Sequence, residues 1–195
     1  MSNKPVYCIF SSNYLPNVGG VEKYTQHLAF ALADKGNRVI IVVSDVFSLP
    51  AKESLREGVD IVRLPCWKFL SGRLPFSRKN AKYNRLFSEL LNEPIDYIVV
   101  NTRFYRHSFE GVRLAESKGI RPIVIDHGSA HLTLGNRLLD VAVASYEHMV
   151  TWHLKRHDAD YYAVSGASCR WLSHFGITSK GVLNNSMDAP AFRSS

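Results

Sequence analysis

Asn13-Tyr14-Leu15-Pro16-Asn17-Val18-Gly19-Gly20-Val21-Glu22 lies between an apolar run, Val6 to Phe10, and an amphipathic run that begins at Val21. The apolar run is short and uninterrupted, as expected of a strand covered on both faces. In the amphipathic run Val21, Tyr24, Leu28, Ala31 and Leu32 recur at helical spacing. Lys35-Gly36 closes it with a charge that suits the helix dipole and a glycine that suits the cap. A second apolar run, Val39 to Val43, follows. Strand, helix and strand, with both strands buried, make a βαβ unit with a right-handed crossover. The quoted stretch is its strand-to-helix loop. Gly19 and Gly20 carry no Cβ, so a ligand can approach the backbone closely, and the unpaired amides at the helix start favour an anion such as phosphate. The same glycines serve equally well to turn the chain and begin a helix. Glu22 suits the first helical turn, where a carboxylate either complements the dipole or meets a ligand.

The pattern repeats downstream. Asp45 to Glu57 is a polar connection and Val59 to Leu64 a third, weaker strand. Ile95 to Val100, Ile123 to Ile125, Tyr161 to Val164 and Gly181 to Leu183 read as further strands. Helices are expected on Tyr83, Leu86, Phe87, Leu90 and Leu91, from Phe104 to His107 through about Lys118, from Leu138 to about Lys155, and from Ala167 to Phe175. About seven short strands alternating with helices predict an α/β chain with a Rossmann-like, doubly wound parallel sheet in three layers. Such sheets bind ligands outside the carboxyl ends of their strands, here Ser12 to Glu22, Asn101 to Tyr105, Asp126 to Ser129 and Ser165-Gly166. His127 directly follows a strand and precedes Gly128, which presents its imidazole at that edge. Asp126 is placed either to orient the ring or to cap the next helix.

With 195 residues and 46% apolar composition, the chain fits one globular domain with a sizeable core. Its longest aliphatic run falls far short of the ~20 residues of a membrane span, and Met1 to Pro5 leads into no signal-peptide core, so a cytoplasmic protein is expected. Cys8, Cys66 and Cys169 are too scattered for a disulfide framework or a thiolate zinc site. Gly-x-Gly-x-x-Gly and Gly-Lys-Ser/Thr are both absent, which removes the main support for dehydrogenase and NTPase readings. His127 with His131, and His153 with His157, lie four apart. No His-Glu-x-x-His pattern accompanies them and Gly128 argues against a helix there, so they read as ordinary histidines and no metal is predicted.

The formal charge of +7 implies an acidic partner. Basic residues concentrate in Arg63, Lys68, Arg73, Arg78, Lys79, Lys82 and Arg85, interleaved with Trp67, Phe69, Leu70, Leu74 and Phe76, with no acid in that window. Pro65, Gly72 and Pro75 make its first half a loop. Cations mixed with aromatics suit an anionic membrane surface, with Trp67, Lys68, Arg73, Arg78, Lys79 and Lys82 as the contact residues; a solvated surface is the plainer reading. No nucleic-acid module is present, so nucleic acid is not expected as a partner.

Pro16-Asn17-Val18-Gly19-Gly20-Val21-Glu22, the helix ending at Gly36, Asp126-His127-Gly128, Val164-Ser165, and Val182-Leu183-Asn184-Asn185-Ser186-Met187-Asp188 with Phe192 occur in an order that resembles the N-terminal half of family 4 (group 1) glycosyltransferases. The resemblance implies a two-domain GT-B architecture. Residues 1–183 would form the Rossmann-like acceptor-binding domain and 184–195 the start of the interdomain hinge, with the donor-binding domain absent. It implies retaining transfer of a sugar from a nucleotide-diphosphate donor to an acceptor hydroxyl, in bacterial glycan or glycolipid synthesis, with the nucleotide sugar as co-substrate and neither cofactor nor metal. His127 would face the transferred sugar, Gly19 and Gly20 the donor diphosphate, and Asn13, Tyr14, Glu22, Arg103 and Ser129 the glycan or lipid-linked acceptor. The chain alone would be inactive, and it would associate peripherally with the inner face of the cell membrane. At the hinge, Asn184-Asn185-Ser186-Met187-Asp188 replaces the family's Pro-Asn-Gly-Val-Asp. The alternative reading is a free-standing, non-catalytic nucleotide- or lipid-binding module of the same fold.

Overall fold

A computed structural model describes residues 4–133 and 135–184. The chain runs β1 (Val6–Ser11), α1 (Gly20–Asp34), β2 (Arg38–Ser44), β3 (Lys52–Arg56), β4 (Val59–Leu64), β5 (Cys66–Phe69) and β6 (Leu74–Ser77), with a turn of 3-10 helix at Leu70–Gly72. It continues through α2 (Ala81–Asn92), β7 (Tyr97–Asn101), α3 (His107–Lys118), β8 (Ile123–Asp126), α4 (Arg137–Leu154), β9 (Asp160–Ala163) and α5 (Gly166–His174). Seven strands form one sheet in the order β3-β4-β2-β1-β7-β8-β9, and β5 pairs with β6 in a separate hairpin. The sheet is parallel except for β3, which runs antiparallel to β4 at the edge.

The α/β, doubly wound architecture expected from the sequence is present, with two changes among its strands. The connection Asp45 to Glu57 contains β3, whose residues are almost all exposed. A charged, solvated edge strand lacks the apolar run that reveals a buried one, and the same charges blunt the edge against further pairing. The expected last strand, Gly181 to Leu183, contracts to a single parallel bridge between Ala163 and Val182. The segment from Arg63 also departs from expectation, because its first half is the β5–β6 hairpin rather than loop. Pro75 is tolerated there because the hairpin is two-stranded and its outer edges need no partner. Of the expected hinge, residues 185–195 lie outside the described residues.

The core follows the strand alternation. Cys8, Phe10, Ile40, Val42, Val62 and Leu64 face one side of the sheet with Tyr83, Leu86 and Leu90 of α2, Val112 and Ala115 of α3, Leu154 of α4 and Leu172 of α5. Ile9, Val39, Ile41, Val43, Val59 and Ile61 face the other with Ala29 of α1. Burial of such side chains contributes roughly 1.5–3 kcal/mol each, which is why the four aliphatic strands at the centre dominate the fold. Asn80 caps α2 by accepting from the Tyr83 amide at 2.9 Å, and Gly36, at φ 80, ends the α1 turn as its position predicted.

Candidate functional site

Strand order places the site. β1 has β2 on one side and β7 on the other, and the chain leaves β1 and β7 in opposite directions, which opens a crevice beyond their carboxyl ends. Beneath the crevice a small polar chain pins the start of α1. Asn101 Nδ2 donates to Thr25 Oγ1 at 2.7 Å, and Thr25 donates to Val21 O at 2.8 Å and lies 3.3 Å from Ser11 Oγ. Gly19 is the residue before α1, extended, with no side-chain cap. The Glu22 carboxylate folds back over it: a Cβ at Gly19 would meet Glu22 Oε2 at 2.5 Å, and Asn17 Nδ2 donates to Glu22 Oε1 at 2.9 Å. Gly20 has nothing within 4 Å of its missing Cβ, so it is the open approach to the helix start.

A cleft of about 820 Å³ opens here. Asn13, Asn17 and Glu22 line one end, Phe104 and Tyr105 the floor, Leu70 to Leu74 of the hairpin one wall, and Leu139, Ala142, Val143 and Tyr146 of α4 the other. Tyr105 is drawn into the polar end. Burial and the nearby Glu22 carboxylate raise its phenol pKa, while a hydrogen bond with the Asn13 side chain works against them. Sequence reasoning placed Phe104 and Tyr105 in a loop at the ligand edge without assigning them a role, and it missed the α4 wall. The available signal was Leu138, Leu139, Val141, Ala142 and Val143, an apolar cluster too wide for one buried helix stripe.

Arg103, expected at the acceptor, does not line this cleft. It is 1% exposed and turned under the loop, donating to Thr151 Oγ1 at 2.6 Å and to Glu147 Oε1 at 2.7 Å, with its Nε 3.5 Å from Asp126 Oδ2 and its guanidinium 3.9 Å above the Phe175 ring. Asp126 is engaged there and with the amides of Arg103 and Gly128, and Asn136, not Asp126, caps α4. Burial pushes its carboxyl up to about 6, with Arg103 opposing and Glu147 reinforcing the rise. His127 projects from the end of β8, where burial lowers its pKa to about 4, so the ring is neutral at neutral pH. Tyr24 meets it edge-on at 4.8 Å, and Nε2 has no hydrogen-bond partner among the described residues. Gly128 packs closely at the next position: a Cβ there would come within 3.1 Å of the Trp171 indole, which would have to shift by a few tenths of an ångström.

The remaining expected residues divide by exposure. Tyr14 is buried at 3% and Ser129 is exposed. Trp67, Lys68, Arg73, Arg78, Lys79 and Lys82 are all exposed, with Arg78 lying over Trp67 at 4.6 Å. Arg63 departs from the group: it is 4% exposed and donates to Glu53 at 2.6 Å and to Pro50 O at 2.9 Å. His153 and His157 flank Phe109, and His157 Nδ1 lies 2.5 Å from Glu116. No helix among the described residues is long and apolar enough to cross a membrane.

The solved structures that this chain resembles share its doubly wound α/β fold. A sucrose-phosphate synthase structure from Thermosynechococcus elongatus superposes with a TM-score of 0.55 at 12% identity, covering 94% of this chain and 90% of that one. An α-glucosyltransferase solved with UDP and a 13-mer DNA superposes at 0.53 and 14% identity, covering 98% of this chain and 45% of that one. The model of glycosyltransferase family 4 matches residues 18–185, and the chain belongs to that family. Among curated relatives, an uncharacterised glycosyltransferase of Methanocaldococcus jannaschii is 26% identical over 132 residues, 65% of this chain. A human phosphatidylinositol N-acetylglucosaminyltransferase subunit is 24% identical over 155 residues, 73% of this chain. The matched regions span 33% and 30% of those relatives, so the chain corresponds to about a third of their length.

Proposed function

We propose that this chain is the acceptor-binding half of a retaining glycosyltransferase that moves a sugar from a nucleotide-diphosphate donor to a hydroxyl of a lipid-linked acceptor. The observation that carries the reading is the cleft. One end offers Asn13, Glu22 and Tyr105 to a polar head, and its two walls offer aliphatic and aromatic side chains to something apolar. The human relative's name specifies a phosphatidylinositol acceptor, which is of the same chemical kind. One structural neighbour was solved with UDP, which supports a nucleotide donor.

Each residue has a role in this reading. The donor diphosphate approaches the α1 start at Gly20, where the amides and helix dipole stabilise its charge, and the Glu22 carboxylate swings away from Gly19 toward the acceptor. His127, neutral and with Nε2 unpartnered, positions a donor-sugar hydroxyl by a hydrogen bond. The acceptor proton leaves on the departing phosphate, so the imidazole need not titrate. Stabilising a developing oxocarbenium and a leaving diphosphate needs charge from both sides, which one helix dipole does not supply. A second domain therefore completes the site, and this chain binds without transferring.

The exposed apolar side chains near the cleft are Leu70 at 51%, which lines it, Trp67 and Phe69 at 53% on the same hairpin, and Leu138 at 82%, the residue before Leu139 of the α4 wall. With Lys68, Arg73, Arg78, Lys79 and Lys82, this surface suits an anionic bilayer, each cation contributing about 1 kcal/mol. The test is co-sedimentation of the chain with vesicles of graded anionic content in the presence of labelled nucleotide sugars. Binding that rises with anionic lipid and falls when those five cations are neutralised, with no label transferred, is expected. Absence of binding to strongly anionic vesicles at low salt overturns the membrane assignment, and transfer by the chain alone overturns its assignment as half of the enzyme.

A further inference from the structure

His131, His148 and His174 come from three separate elements: the loop after β8, the middle of α4 and the last residue of α5. Their ring centres lie 5.4, 5.3 and 5.8 Å apart, and one ring nitrogen from each falls within 4.8 Å of the others. Three imidazoles around a tetrahedral zinc ion at ~2.0–2.1 Å hold their ligating nitrogens about 3.3 Å apart and their ring centres about 5 Å apart. The widest nitrogen spacing here exceeds that of a zinc site by about 1.5 Å, within the range of side-chain rotation.

The surroundings fit a cation. Glu147 Oε2 lies 2.7 Å from His131 Nδ1. A carboxylate accepting from one imidazole nitrogen fixes the tautomer and leaves Nε2 with its lone pair, the arrangement that metal-binding histidines use. Glu147 is itself fixed, 3% exposed, accepting from Arg103 at 2.7 Å and from the Trp171 indole at 3.3 Å. The His174 ring stacks flat on Trp171 at 4.9 Å and 2°, and the His148 ring packs on Phe175 at 4.7 Å, so both have a defined setting. His148 and His174 are exposed, which leaves the ion a way in and room for water.

We propose that His131, His148 and His174 bind one divalent transition-metal ion, with zinc as the reference ion and water in the fourth position. The ion ties the loop that follows His127 to α4 and α5. Spacing alone could not find the site, because it pairs His131 with His127, whose ring instead meets Tyr24. The proposal is independent of the reading of the cleft, and its test needs neither donor nor acceptor.

The experiment is calorimetric titration of the metal-free 195-residue chain with zinc, alongside thermal unfolding with and without the ion. One zinc per chain is expected. His148→Ala and His174→Ala should each weaken it at least tenfold, while a His153→Ala/His157→Ala double variant keeps the parent affinity. Zinc should raise the Tm of the parent and leave that of a His148→Ala/His174→Ala double variant unchanged. Because both residues are exposed, these variants keep the fold. Equal zinc affinity in the parent and the His148→Ala/His174→Ala variant, or no uptake by the parent at millimolar zinc, overturns the site.

Discussion

Arg103 and Tyr105 stand two residues apart after β7 and turn opposite ways. Arg103 goes inward, where Glu147, Asp126, Thr151 and Phe175 engage it on every side. Tyr105 goes outward, onto the floor of a cleft whose walls are mostly apolar. The inner cluster consists of charges that need one another, because burying any of them unpaired is costly. The outer one holds few polar groups and leaves its apolar surface wet. A loop that serves both is rigid on its underside and available on its upper side, which is what a binding site mounted on a scaffold requires.

The contrast breaks most easily on its inner side. Arg103→Ala leaves the Glu147 and Asp126 carboxyls buried without their cation and should destabilise the chain by about 3–5 kcal/mol in denaturant unfolding. A loss under about 1 kcal/mol would mean that the cluster is no structural anchor.

His127 sits between the two regions, and pH sharpens its place. Its ring stays neutral in the folded chain down to about 4, against 6.5 unfolded, so the unfolded state binds more protons and stability falls as pH drops from 6.5 to 4. Asp126 runs the other way: with a folded value of about 6 against 3.8, its contribution grows as pH drops through 6 and is complete below 3.8. The two oppose each other in the shared window. His127→Asn removes only the first, so at pH 4 the variant should have gained about 3 kcal/mol on the parent relative to pH 7. A difference that does not change with pH would place the imidazole in solvent.

On the outer side, Ala142→Trp should fill the cleft from the α4 wall. Binding of an alkyl glycoside such as octyl glucoside, followed by calorimetry, should weaken about tenfold, or ~1.4 kcal/mol. The unfolding midpoint should hold within about 0.5 kcal/mol, because Ala142 is exposed. Unchanged binding would remove the cleft from the acceptor reading.

The sequence disclosed whatever depends on neighbours along the chain. Val6 to Phe10 and Val39 to Val43 are apolar runs because both sheet faces are covered, and Val59 to Leu64, interrupted by Asp60 and Arg63, still showed as a weaker strand, so the central strands were legible. β3 was not, since an edge strand carrying Lys52, Glu53 and Arg56 has the composition of a loop. That the glycine loop and His127 lie at the carboxyl edge of the sheet was legible from their position after strands. The inward turn of Arg103 was not, because its partners Glu147 and Thr151 arrive on α4, 44 and 48 residues later, and nothing local distinguishes an arginine that will meet them. For the same reason the α4 wall escaped notice, since only the tertiary fold shows which side of that helix is left bare.

The central position of β1 has a consequence in time. Its neighbour β2 follows after one helix, but its other neighbour, β7, comes much later: the Val6 amide donates to the Asp96 carboxylate across 90 residues. On a ribosome adding ~5–20 residues per second, that interval is roughly 5 to 20 seconds. Throughout it, a central strand has one open edge, with Cys8, Ile9 and Phe10, all 0% exposed in the folded chain, within reach of any other nascent strand. Fast early packing of α1 against β1 and β2 would shelter one face but not that edge, so the yield of folded protein depends on how soon Tyr97 to Asn101 emerge to close it.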